Sequence, residues 1–129
     1  MAFDGKFVFE GKEYDLLDSD IKFKREVDEK GRTSSHVKGA FLYLKVESTE
    51  DTGLIEAATN EYKLIKGKLV WKKGDEDAKM KECEFEDGAI IEYKETFTRD
   101  DSKPMATALL ISPRVIICGG ARLEFDWPK

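Results

Sequence analysis

The sequence predicts a mainly β fold, a small antiparallel β-barrel (two packed sheets) with one short α-helix. Three observations carry this. Apolar and polar residues alternate over most of the chain, as in Ile21-Lys22-Phe23-Lys24-Arg25-Glu26-Val27, and a period of two puts one side of a strand against a core. Only over Val46 to Ala58 does the period lengthen toward the helical one. Turn signals (Glu10-Gly11, Asp87-Gly88, Gly119-Gly120) punctuate the alternating runs.

The elements follow in order. Phe7 and Phe9, then Tyr14 and Leu16 after Glu10-Gly11, predict a hairpin. Ile21 to Val27 is a half-buried strand. Asp28 to Gly39 is polar and aperiodic, with two glycines, and reads as a long loop; loops of that length inside a compact domain are often functional. Ala40 to Val46 is apolar on both faces, with Leu42, Leu44 and Val46 on one side and Phe41 and Tyr43 on the other. Such a strand meets a core on one face and a helix or partner subunit on the other.

The helix is expected to start at Ser48, with Asp51 three residues later and Glu50 and Asp51 in its first turn. Leu54, Ile55, Ala58 and Tyr62 then form one face of about three turns. That length is marginal alone in water, so the helix needs a surface to lie against. Leu69 to Trp71 is the next strand, followed by a charged turn from Lys72 to Lys79. Met80 to Glu86 and Ala89 to Thr98 form a hairpin closed by Asp87-Gly88. Ile91, Tyr93 and Phe97 share a face, as do Met105, Thr107, Leu109 and Ile111. Pro113, lacking an N–H, belongs at an edge or bulge. A barrel of about eight strands is just wide enough to fill with side chains.

With 129 residues the chain reads as one domain, 1–129, able to bury a core. Charged residues make up 38%, yet 22 basic against 27 acidic side chains leave a net charge of only −5. That mixture argues against a nucleic-acid binder, which concentrates basic charge on one face. It suits surfaces that meet through complementary charge. The start, Met1-Ala2-Phe3-Asp4-Gly5-Lys6-Phe7, lacks the pattern of a signal peptide, and no apolar run is long enough to insert in a membrane. Cys83 and Cys118 are too few and too far apart for a disulfide framework or zinc ribbon. They read as small buried residues in a chain made in a reducing cytoplasm.

Catalytic chemistry finds little to use. His36 is the only histidine and sits in a polar loop, so its plain reading is a solvated side chain. Asp75-Glu76-Asp77 lacks the glycine and terminal glutamate of a calcium loop. Gly119-Gly120 is not followed by a phosphate-cradling Lys-Ser/Thr. The residues therefore point to no enzyme, no metal and no cofactor. More informative is the acidic triplet flanked by Lys72, Lys73, Lys79 and Lys81: either a solubilising tip, or a contact patch where opposite charges on two copies interlock.

Several stretches together resemble one family. They are Phe9-Glu10-Gly11-Lys12-Glu13-Tyr14, Gly31-Arg32-Thr33-Ser34-Ser35, Glu47-Ser48-Thr49-Glu50-Asp51-Thr52, and Lys72 to Glu82 running into Phe85-Glu86-Asp87-Gly88. Ile111-Ser112 and Trp127-Pro128 complete the set. In order and spacing they resemble the Bacteroidetes form of the type VI secretion tube protein, Hcp (TssD), over essentially the whole chain. The resemblance implies a phage tail-tube-like barrel that forms hexameric rings. The rings stack into a hollow tube that carries effector cargo and is fired by a contractile sheath under a spike. It also implies release outside the cell without a signal peptide, and no catalytic residues. By analogy, Gly31, Arg32, Thr33, Ser34, Ser35 and His36 reach an adjacent subunit or ring, and Lys72, Lys73, Asp75, Glu76 and Asp77 are the stacking patch. The rival reading is a monomeric β-barrel that binds a small apolar ligand in an aromatic-lined pocket. A weaker one is a hydrolase using carboxylates or His36.

Overall fold

The computed structural model describes residues 3–23, 29–31, 39–73 and 79–125. Strands β1 (Phe3–Phe9), β2 (Lys12–Phe23) and β3 (Ala40–Glu47) precede the helix α1 (Gly53–Thr59). Strands β4 (Ile65–Lys73), β5 (Lys79–Phe97), β6 (Met105–Cys118) and β7 (Ala121–Glu124) follow it. Every pairing is antiparallel, in the order β3-β2-β1-β4-β5-β6-β7. Because β3 also pairs with β6, six strands close into a barrel and β7 extends from it. The expected barrel and single helix are both present, and its two layers are opposite walls of one continuous sheet.

The β1–β2 hairpin is tight because Glu10 and Gly11 both take positive φ, 50° and 78°. That is the two-residue geometry matching strand twist. Alternation along β1 then turns Phe7 and Phe9 inward, where they stack with ring centroids 6.1 Å apart; Phe85 stacks on Phe7 at 6.3 Å. Gly67 lies beneath these rings. A Cβ there would come within 2.8 Å of Phe7 Cε1 and 2.9 Å of Phe85 Cε1, so only glycine lets β4 approach so closely. Leu42, Leu44, Val46, Leu69, Leu109 and Ile111 complete the interior. At about 1.5–3 kcal/mol per buried large side chain, this core is the main source of stability.

Several expectations are corrected. The helix is seven residues, not three turns, and Ser48 does not start it. Ser48 is tied to the sheet: its N–H donates to the Met105 carbonyl, and its hydroxyl bonds Thr107 Oγ1 at 2.8 Å and Glu95 Oε2 at 3.0 Å. The helix begins after Thr52, whose hydroxyl donates to Glu56, while Asp51 accepts from the Gly53 N–H. Only Leu54 and Ala57 turn inward; Ile55 is exposed and Tyr62 lies beyond the helix end.

Asp87-Gly88 does not close a hairpin. Asp87 has positive φ (51°), yet β5 runs through it as one 19-residue strand, and Gly88 stands opposite Pro113. A bulge between Ile90 and Glu92 then shifts the register, so Ile90 and Tyr93 pack on the core while Ile91 faces out. One extra residue reverses the alternation, which is why Ile91 and Tyr93 do not share a face.

Pro113 is buried inside β6 but, as expected, at a local edge, and it stands opposite Gly88 next to the irregularity at Asp87. It falls where β6 exchanges partners, β3 pairing with Ala106 to Ile111 and β7 with Val115 to Cys118. A residue without a donor is tolerated in that gap. The count of about eight strands becomes seven among the described residues. Finally, Cys83 and Cys118, register partners on β5 and β6, form a disulfide with Cα atoms 4.2 Å apart. Thirty-five residues of sequence separate them, and only the strand register brings them together.

Candidate assembly surface

Strand direction gives the barrel two unlike ends. β1 begins, β2 ends and β3 begins at one end, and β4 ends and β5 begins there too. The strands leading into both predicted contact segments, Gly31 to His36 and Lys72 to Asp77, thus terminate at the same end. Gly31 is described, exposed and at positive φ (83°). Lys72 and Lys73 close β4, paired with Asp4 and Phe3. Arg32, Thr33, Ser34, Ser35, His36, Asp75, Glu76 and Asp77 lie outside the described residues. The Cys83–Cys118 bond sits toward this loop end, where β6 finishes.

The opposite end carries α1, the β1–β2 turn and the β5–β6 loop. Large apolar side chains stand open there: Tyr62 is 86% exposed, Phe97 67% and Met105 41%, with Phe97 and Met105 opposite one another on β5 and β6. Of these, Phe97 and Met105 form an adjacent exposed apolar pair. Sequence reasoning missed this group because all three sit where the alternation ends, and no pattern there separates an outward aromatic from an inward one.

The outer wall has two apolar features. On the β3–β6 seam one row crosses four strands, Asp20–Tyr43–Leu110–Glu92, with acids at the ends and apolar groups between. Phe41 and Ile91, about half exposed, extend it. Phe41 and Tyr43 are the outward side of the two-faced strand, as expected; the signal for Ile91 was its place directly after Ile90 in a strand that should alternate. On the β1–β4 pair lies a groove of about 440 Å³, lined by Val8, Leu64, Lys66 and Lys68 over the Phe9–Ile65 floor. The barrel axis itself is filled by stacked phenylalanines. The groove therefore lies outside the barrel, not in the aromatic-lined interior that a ligand-binding barrel would use.

Ion pairs lace the rest of the surface. Lys6 beside Asp15, and Lys12 with the Gly53 N–H beside Asp51, hold those carboxyls below the usual aspartate value; Arg114 does the same for Glu124. A carboxylate held low in the fold stabilises above its ordinary pKa, 3.8 for Asp and 4.5 for Glu, and that stability is lost as pH falls through the depressed value. The melting temperature is thus expected to be level from pH 7 to about 5 and to fall below about pH 4. A pH series of thermal melts checks this, and a melting temperature that rises below pH 4 would contradict it.

Among the described residues no three His, Cys, Asp or Glu side chains converge to hold a metal. No helix among them is long and apolar enough to cross a membrane. What the geometry offers is contact surface: two unlike ends and two apolar walls.

The model of the family described as Hemolysin coregulated protein Hcp (TssD) matches residues 1–128. Among solved structures, Hcp1 from Flavobacterium johnsoniae superposes with a TM-score of 0.88 at 30% identity, covering 94% of this chain and 98% of that one. Hcp1 from Salmonella typhimurium gives 0.72 at 14% identity, covering 95% and 92%. A chain of the anti-feeding prophage tube-terminating cap gives 0.62 at 8%, covering 91% and 88%; at such identities the likeness is of fold. No curated protein sequence matches.

Proposed function

The chain belongs to the Hcp (TssD) family, a family of structural tube proteins rather than enzymes, and from that premise we propose how it assembles. It is a subunit of the type VI secretion tube. Six copies close into a ring, and rings stack head to tail through the two unlike barrel ends. The whole of 1–129 acts as one Hcp-like domain. Gly31 to His36 reach the neighbouring ring, and Lys72, Lys73, Asp75, Glu76 and Asp77 supply the charged stacking patch. Sheath, spike and lumen-borne effector proteins are its partners, and it leaves the cytoplasm through the apparatus.

The observation that supports the reading is the barrel's polarity: the strands leading into both candidate segments finish at one end, while α1 and the β5–β6 loop lie at the other, where Phe97 and Met105 stand exposed side by side. Stacking requires a contact that does not close on itself, and a barrel with two different ends provides it. Light scattering and negative-stain images of purified protein test this. Rings of six are expected, and a monomer of 14.7 kDa at high concentration would overturn it. If the charged patch holds rings together, tubes should shorten as salt rises from about 0.1 to 1 M, because the screening length falls from about 10 to 3 Å. Unchanged length across that range would remove the patch from stacking.

A further inference from the structure

We propose that a small cavity between the barrel and the segment leading into α1 is a binding site for one water molecule. The water joins the Tyr14 hydroxyl to the polar groups around it. The site lies inside a single subunit and does not depend on how copies assemble.

Its walls come from places far apart in sequence. Tyr14 of β2, Ser48 and Asp51 ahead of α1, Glu95 of β5 and Thr107 of β6 line it, with Leu54 from the helix. Tyr14 is only 3% exposed, and its hydroxyl has no hydrogen-bond partner among the described residues. The ring packs on Phe7, centroids 6.1 Å apart, which holds that hydroxyl in place. A buried hydroxyl left alone is costly, and native folds give it a partner from the protein or from ordered water. Burial first, and then the nearby Asp51 carboxylate, favour the neutral phenol, so the group has a hydrogen to donate.

Size and chemistry select the guest. The cavity holds about 10 Å³, room for a single water and too little for anything larger. A water accepts from the phenol and donates to two oxygens of the cluster. A cation is not called for, because the carboxylates already have donors. Asp51 pairs with Lys12 and accepts from the Gly53 N–H, and Glu95 accepts from Ser48 and Thr107. Among the described residues no three metal ligands converge. The bridged water ties β2 to the start of α1, adding to the contacts of buried Leu54 and Ala57 that seat the helix.

Crystals of the wild-type protein test the site directly. One water is expected at hydrogen-bond distance from Tyr14 Oη and from two of Ser48, Asp51, Glu95 and Thr107. A cavity without density, or a Tyr14 hydroxyl bonded straight to a side chain, overturns the proposal. So does an anomalous peak there after a rubidium chloride soak, which makes the guest a cation. Tyr14→Phe, which keeps the ring beside Phe7, tests the bridge by amide hydrogen exchange. Exchange at Gly53 to Ala57 is expected to quicken severalfold while the inner strands hold their wild-type rates. Equal exchange at α1 in the two proteins overturns the bridging role.

Discussion

Replacing Phe85 with alanine is expected to destabilise the barrel by about 3–5 kcal/mol, the range for a phenylalanine lost from a tight core. Phe85 is 1% exposed and stacks on Phe7; Gly67 and Gly88 both lack a Cβ where its ring passes. The surrounding strands belong to a closed sheet and cannot collapse into the space, so the cavity term stays near its upper end. For a domain of this size the loss lowers the melting temperature by about 10–20 °C. Urea unfolding at one fixed protein concentration reads it, since assembly makes apparent stability depend on concentration. Phe97→Ala is the matched control. Being 67% exposed, it should stay within about 0.5 kcal/mol of wild type under conditions where rings do not form. Equal effects of the two substitutions would mean that Phe85 does not sit in the core.

Removing the Cys83–Cys118 bond is the second large effect. It closes a loop of 35 residues between strands already paired by the sheet. In the chain-entropy account, a cross-link over that length raises the free energy of the unfolded ensemble by about 4 kcal/mol. The Cys83→Ala/Cys118→Ala variant and the dithiothreitol-treated wild type should therefore both melt well below the oxidised protein, and the variant should ignore the reductant. Oxidised and reduced wild type melting together would show that the bond contributes nothing. The bond also tempers the expectation of a reduced chain. A disulfide suits a protein whose working life ends in an oxidising place, which agrees with a subunit that leaves the cell.

Local features of the fold were legible in the sequence. Glu10-Gly11 announces its hairpin because positive φ at two successive residues is a demand the residues themselves meet. Leu42, Leu44 and Val46 announce the inner face of β3 because one period covers the whole strand. The misreadings have a common cause. Ser48 and Asp51 have the spacing of a helix start, but the Ser48 hydroxyl is already taken by Thr107 and Glu95 from distant strands. Asp87-Gly88 has the composition of a tight turn, but pairing with β4 and β6 on either side carries β5 through it as one strand, the positive φ of Asp87 being taken up where the β4 register shifts by one residue. Cys83 meets Cys118 only through the register of two long strands. In each case a contact remote in sequence outweighs a local preference. The surface row Asp20–Tyr43–Leu110–Glu92 was invisible for the same reason, being assembled from four strands.

The directionality of the barrel reaches beyond one subunit. If such units stack head to tail as proposed, the column carries an arrow along its whole length, with the helix-bearing tip exposed at one terminus and the disulfide-bearing tip at the other. A protein shaped for either tip finds a single place to sit on a column of any length, so initiation and termination need different companions. The same arrow lets growth be stopped from one side while the other stays competent to add rings.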